Sequence, residues 1–249
     1  MSRVVVFGNS KGGTGKSTLA LHAAVAAMVR GLRVATLDLD PDQGTLTRYV
    51  ENRGRLHPNL PQTTHRRPAM GTEEAVLASL LAELAADHDL LVIDTPGADT
   101  PMARLGHAAA DILVTPLNDS LVDFDLLARV DPESLRIERP GIYAERVWEA
   151  KKRRALQSGG SLDWVVLRNR LSPLESRNSR AMDGLLKELE RRIRCRILPG
   201  LAERVIYREL FLKGLTLLDI RAEGSGVAMN LSHVAARQEL RTLFEGIGL

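Results

Sequence analysis

Seven residues near the amino terminus, Lys11-Gly12-Gly13-Thr14-Gly15-Lys16-Ser17, have the types and spacing needed to hold a phosphate chain. Glycines let the backbone curl so that successive N–H groups converge on phosphate oxygens, helped by the positive end of a following helix. The loop lysine Lys16 can neutralise β/γ charge, and the Ser17 hydroxyl can bind Mg²⁺. The surroundings agree. Val4-Val5-Val6-Phe7 reads as a short buried strand ended by Gly8-Asn9, and Ser17 to Arg30 reads as an Ala-rich helix stopped by Gly31. A glycine-rich turn with two solvated lysines would not need strand, loop and helix in that order.

Three carboxylates follow where phosphate chemistry would use them. Asp38-Leu39-Asp40-Pro41 ends the strand expected over Leu32–Leu39, and Asp94-Thr95-Pro96-Gly97 ends the one over Leu90–Ile93. Ligands of open α/β sheets bind at those carboxyl ends. Alone, each aspartate reads as a strand-end turn residue; three in this order after a phosphate loop do not. Two later turns, Arg168-Asn169-Arg170 and Leu198-Pro199-Gly200, also follow strand-like runs, and Asn at a strand end is an ordinary turn residue.

The elements that must position these residues alternate. Helical stretches at 73–86, 101–110, 175–192 and 233–244 separate strand-like runs at 90–93, 111–115, 164–167 and 195–198. This predicts an α/β fold, a mostly parallel twisted sheet with helices on both faces. Residues 51–72, rich in Pro, His and Arg, read as an exposed loop. Residues 131–160 read as an insertion ending in Lys151-Lys152-Arg153-Arg154 and Gly159-Gly160. Without repeats or an interdomain linker, residues 1–249 read as one domain.

The chain's 249 residues, 44% hydrophobic, suffice for one sizeable core. The single Cys195 excludes an internal disulfide, a CxxC pair and a multi-cysteine metal site within one chain. The apolar start is too short for a signal peptide, and no run approaches the roughly eighteen apolar residues of a membrane span. These features suggest a cytoplasmic protein. Net charge is +3, unevenly placed: residues 1–140 hold 14 Lys/Arg against 18 Asp/Glu, and residues 141–249 hold 20 against 13. A basic half hints at a polyanionic partner, although charge runs are usually solvated faces.

The strict phosphate-loop pattern wants a glycine where Ser10 stands, and a second lysine, Lys11, opens the loop. This form resembles the deviant Walker A box of the ParA/MinD ATPases. The runs Pro116-Leu117-Asn118-Asp119-Ser120, Val122-Asp123-Phe124-Asp125, Asp163 to Arg170, Arg204 to Leu210 and Ala235 to Arg241 narrow the likeness. They are similar to the MipZ-type ATPases that position the bacterial division plane. The resemblance spans nearly the whole chain except 51–85 and 221–230.

It implies a slow, Mg²⁺-dependent ATPase that alternates between a monomer and an ATP-bound homodimer. Lys11, Gly12, Gly13, Thr14, Gly15, Lys16, Ser17 and Thr18 would contact ATP, with Lys11 reaching the partner subunit's phosphates. Asp40 would position the attacking water, Asp38 and Ser17 would arrange the Mg²⁺ surroundings, and Asp94 would hold a magnesium-bound water. Asn169 would bond adenine, with Pro199 nearby. Partners implied are non-specific DNA, the division protein FtsZ and a ParB-like centromere-binding protein, with nucleoid and polar placement in the cell and no stable membrane association.

The residues themselves supply a rationale for DNA. Arg191, Arg192, Arg194, Arg196, Arg204 and Arg208, with Lys187, crowd the basic half, and phosphate neutralisation gives sequence-independent, salt-sensitive affinity. Intrahelical pairs with Glu188 and Glu190 are the plain alternative. A ParA-type partition ATPase is the nearest rival, and a nucleotide-dependent scaffold without useful hydrolysis is one of another class. A MinD-like membrane helix would need more cations than Arg241 beside Leu240, Leu243, Phe244 and Ile247, so that stripe is expected to face the core.

Overall fold

The strand β1 (Arg3–Phe7) is the axis of the computed structural model, which describes residues 2–172, 177–220 and 226–249. Its side chains alternate between two cores, Val5 and Phe7 to one face and Val6 to the other. From it the chain runs through α1 (Lys16–Val29), β2 (Val34–Asp38), α2 (Thr45–Leu56), β3 (Thr64–Arg66), α3 (Glu74–Asp87) and β4 (Leu90–Asp94). It continues through α4 (Pro101–Ala109), β5 (Ile112–Asn118), α5 (Leu121–Phe124), the hairpin β6 (Ala128–Val130) and β7 (Ile137–Pro140), and α6 (Ile142–Ser158). The last elements are β8 (Asp163–Asn169), α7 (Arg177–Ile193), β9 (Arg196–Leu198), α8 (Ile206–Lys213) and α9 (Leu231–Gly246). The helix expected from Glu175 is described from Arg177; Glu175 lies outside the described residues.

The main sheet has the order β3-β2-β4-β1-β5-β8-β9, and every pairing in it is parallel. Helices α1, α2, α8 and α9 cover one face, and α3, α4, α6 and α7 the other. Each βα turn therefore falls on one edge of the sheet, where the phosphate loop leaves β1 between its neighbours β4 and β5. Helix α1 is buried along most of its length, from Leu19 to Ala27, which explains why that stretch is apolar but for His22. The stripe Leu240, Leu243, Phe244 and Ile247 is buried. No described helix is long and apolar enough to cross a membrane.

Two sequence expectations are corrected. Residues 51–72 are loop only in part: α2 runs to Leu56 and β3 pairs with β2 through Ala35↔Thr64, Thr36↔His65 and Leu37↔Arg66, while 57–63 and 67–72 are neither helix nor strand. The helix was hidden because its buried face is Leu46, Tyr49 and Arg53, with a cation at a core position. Arg53 is fully buried and bonds both carboxylate oxygens of Asp219, at 2.8 and 3.0 Å. Strand β3 has no apolar residue and sits at the sheet edge, where polar side chains are tolerated.

Residues 131–160 contain a hairpin strand and the 17-residue helix α6, which lies on the crossover from β5 to β8 rather than outside the fold. It buries Tyr143, Ala144, Val147 and Ala150 while exposing Ile142, Trp148 and Leu156, so apolar residues on both faces blur its period.

Candidate nucleotide site

Local backbone chemistry sets the shape of the phosphate loop. Gly13 and Gly15 take φ of 74° and 94°, the left-handed region that side chains disfavour. Asn9 anchors the loop from below: its amide donates to Pro116 O at 2.7 Å, and its Oδ1 accepts from Lys11 N at 3.1 Å. Lys16 is buried, and its Nζ donates to Lys11 O at 2.9 Å, so the ammonium already spans the loop. Burial lowers its pKa, opposed by the charges of Asp94 and Asp40.

Adjacent strands bring the carboxylates together. Asp38 and Asp94 are register partners on β2 and β4, and both are buried. Burial and then the charge of Asp38 push Asp94 up to about 8, against the Ser17 hydrogen bond and Lys16. Asp94 Oδ1 is buried with no hydrogen-bond partner among the described residues. An orphaned carboxylate oxygen beside a serine hydroxyl and a second carboxylate is a donor set for a hard divalent cation, so these residues fit Mg²⁺.

Asp38 has other work as well. Its Oδ1 accepts from Asp40 N at 3.0 Å, and its Oδ2 from Thr47 N and Oγ1 at 2.9 and 2.8 Å. It thereby shapes the turn that presents Asp40. Asp40 Oδ1 in turn accepts from the N–H groups of Asp42 and Gln43.

The segment after Asp94 lies on the loop. A Cβ at Gly97 would stand 2.8 Å from Gly12 N and 3.0 Å from Gly12 Cα, so only glycine permits this approach. Two residues on, Asp99 pairs with Arg104 of α4 at 2.7 Å and Arg146 of α6 at 3.2 Å. Lys11, 43% exposed, forms an ion pair with buried Asp123 of α5, a residue of the run Val122–Asp125 to which sequence reasoning assigned no role.

On the other side of the loop, Asn169 donates to Thr14 O at 2.8 Å and lines a groove of about 240 Å³ with Gly15 and Thr18. Pro199 does not line it. The opposite wall comes two residues later, from Leu201 and Ala202, with Tyr207 and Phe211 of α8. Sequence reasoning missed these four; the signal available was that a turn after β9, like that after β8, falls on the ligand-bearing edge. The hydroxyl of Tyr207 is buried without a partner among the described residues, which suits a polar ligand in this groove.

The six arginines do not form one patch. Arg204 and Arg208 line the nucleotide groove and pair with Glu239 and Glu203. Arg196 is at the other end of the sheet, paired with Asp163 at the start of β8, and Arg192 pairs with Glu188. Arg191 and Arg194 have no salt-bridge partner among the described residues.

Comparison with known proteins agrees with this geometry. The family described as ATPase MipZ matches residues 3–249. The maintenance of carboxysome distribution protein A of Gloeobacter kilaueensis is 32% identical over 195 residues, 65% of this chain and 85% of that protein. Among solved structures, apo McdA of Cyanothece superposes with a TM-score of 0.70 at 20% identity over the whole of both chains, and a McdA variant has been solved with ATP. The septum site-determining protein MinD of Pyrococcus horikoshii, complexed with Mg-ADP, gives 0.62 at 15% identity over 100% of this chain and 96% of that one. A match that runs from the first strand to the last residue makes this chain a member of the MipZ family of ATPases.

Proposed function

We propose that the chain is an ATP-dependent dimerising switch that hydrolyses ATP slowly and helps place the bacterial division site by restraining FtsZ assembly. The observation that carries this reading is the approach of Gly97 to Gly12, which couples the segment after Asp94 to the phosphate loop. Such a segment can report loss of the terminal phosphate.

In this reading the N–H groups of Gly12 to Thr18 cradle the phosphates, and Lys16 neutralises β/γ charge. Asn169 and the α8 wall hold the base. Asp40 orients the attacking water, and Lys11 reaches the phosphates of the partner subunit. Ser17 and Asp94 would hold Mg²⁺, with Asp38 behind them; the ion supplies charge neutralisation on the transferred phosphoryl group. Pro199 would lie near the base, on the turn that leads into Leu201 and Ala202 of the groove wall. Rate enhancement then comes from positioning and electrostatics, which suits a timer rather than a metabolic enzyme.

Sequence-independent DNA contact and recruitment by a ParB-like protein complete the reading. The DNA part rests on the basic second half and on Arg191 and Arg194, because the other four arginines already have carboxylate partners. A second reading, a ParA-type ATPase that distributes cargo, is favoured by the 32% identity to a carboxysome distribution protein.

Light scattering in ADP and in a non-hydrolysable ATP analogue, with DNA affinity recorded on the same samples, tests the switch. A dimer only with the analogue, binding DNA more tightly than the ADP form, is expected. A monomer in both states removes the trans-lysine mechanism. Polymerisation of purified FtsZ that is unaffected by the ATP-bound form would favour the cargo reading.

A further inference from the structure

A groove of about 560 Å³ lies between α6, β7 and the end of α7, at the opposite edge of the sheet from the phosphate loop. Its floor is apolar, made by Ala144, Trp164 and Ile193, and Trp164 is the second residue of β8. On its rim stands Trp148, 53% exposed, one of two tryptophans in the chain. A half-exposed tryptophan over an apolar trough is costly to leave in water, and Trp and Arg dominate the energetics of protein contacts.

The cations Lys151, Arg192 and Arg194 line the groove, and Arg192 is already paired with Glu188. The Lys151 ammonium sits 5.9 Å from the Trp164 ring centroid and donates to Arg194 O at 3.1 Å, so it is oriented without a neutralising carboxylate. Arg194, with φ of 52°, turns the chain from α7 into β9 and has no salt-bridge partner among the described residues. The acids Glu145 and Glu149 stand on the far ridge, which also borders the cleft between α4 and α6, and Glu149 is paired with Lys152.

We propose that this groove docks an acidic segment of a partner protein. One aliphatic or aromatic side chain of the segment packs against Trp148 above Ile193, and its carboxylates meet Lys151 and Arg194. A nucleic-acid duplex fits less well, because its evenly spaced phosphates would also face Glu145, Glu149 and the neighbouring Glu188. A peptide places carboxylates only where cations stand. The site is independent of nucleotide chemistry, so its failure and that of the ATP switch are separable.

The test is selection of a random peptide display library on the immobilised full-length protein, followed by affinity measurement on resynthesised peptides. Selected sequences should combine Asp or Glu with Leu, Phe or Trp. Binding should blue-shift the emission of Trp148 and shield it from a soluble quencher. Trp148→Ala and, separately, Arg194→Glu should each weaken the peptide about tenfold or more, with affinity for the ATP analogue unchanged as the control for folding. Selected peptides without acidic enrichment, or ones that bind both variants as tightly as the parent, overturn the proposal. A short DNA duplex that loses affinity in both variants while the peptides do not would make this a nucleic-acid surface, and the proposal falls.

Discussion

The ammonium of Lys11 in the phosphate loop is ion-paired with the carboxylate of Asp123, 112 positions later on α5. The carboxylate is 1% exposed and the lysine 43%, so the pair sits at the surface of the loop with its anion held inside. Asp123 Oδ2 also accepts from Asn118 N at 3.3 Å, which fixes the acid whether or not the lysine is there. If Lys11 serves the partner subunit, closing the dimer must first break this contact within one chain. Replacing Asp123→Asn keeps an acceptor for Asn118 N and removes the charge. The ATP-analogue dimer should then form at about fivefold lower protein concentration, the scale of a half-exposed ion pair worth about 1 kcal/mol. Sedimentation giving an unchanged or weaker dimer would show that the pair does not hold Lys11 back.

Asp40 offers a cleaner test of hydrolysis than truncation does. Its Oδ1 caps the N–H groups of Asp42 and Gln43, so alanine would loosen the turn as well as remove the carboxylate. Asp40→Asn keeps that acceptor. Phosphate release should fall about a hundredfold while ATP affinity is retained and the dimer accumulates. Should the variant stay monomeric with ATP, the role given to Asp40 is wrong.

Gly12 and Gly97 touch, yet substitutions at the two should fail for different reasons. A Cβ on Gly12 meets nothing within 4 Å, so Gly12→Val should fold with an unchanged melting temperature and lose only the ATP-dependent dimer. A Cβ on Gly97 meets the Gly12 backbone at 2.8 Å, so Gly97→Ala must displace the segment after Asp94 within the monomer. Nucleotide affinity should therefore fall in Gly97→Ala before any partner is involved. Equal dimerisation of Gly12→Val and the parent would count against the trans-lysine geometry.

How much of this was legible in the sequence depends on whether backbone or tertiary partners set each element. The phosphate loop was readable because its glycines answer a local demand, positive φ at Gly13 and Gly15, and because a β-branched run precedes it. Asp38 and Asp94 were readable as strand ends, and the structure makes them register partners. Helix α2 was not, because Arg53 takes a core position made tolerable by Asp219, far along the chain, and by the carbonyls of Pro61 and Gly214. Nor was β3, where His65 replaces an apolar side chain and bonds Thr36 and Thr47 instead. The arginines divided for the same reason: Glu239 and Asp163 claim Arg204 and Arg196 through folding, which charge counting cannot see.

Acid should weaken the fold through His22, a buried residue of α1. Burial depresses its pKa to about 4, outweighing the Thr18 hydrogen bond and the charge of Asp219. Its Nδ1 lies 2.8 Å from Thr18 O, and its Nε2 accepts from Leu217 N at 3.2 Å. A proton on Nε2 would set one N–H against another, so the folded state keeps the neutral ring. The unfolded chain binds that proton near pH 6.5. Stability is therefore fully present above about pH 6.5 and is lost as pH falls from there toward 4, by about 2 kcal/mol at pH 5 for this group. His107, held at about 4 by burial, adds a loss of the same sign. Asp94, held at about 8, runs the other way over this range, since the fold binds its proton first. The variant His22→Gln therefore isolates the histidine: in urea titrations at pH 7 and pH 5 it should lose about 2 kcal/mol less than the parent. A variant with the parent's full pH dependence would mean that His22 is not the group being protonated.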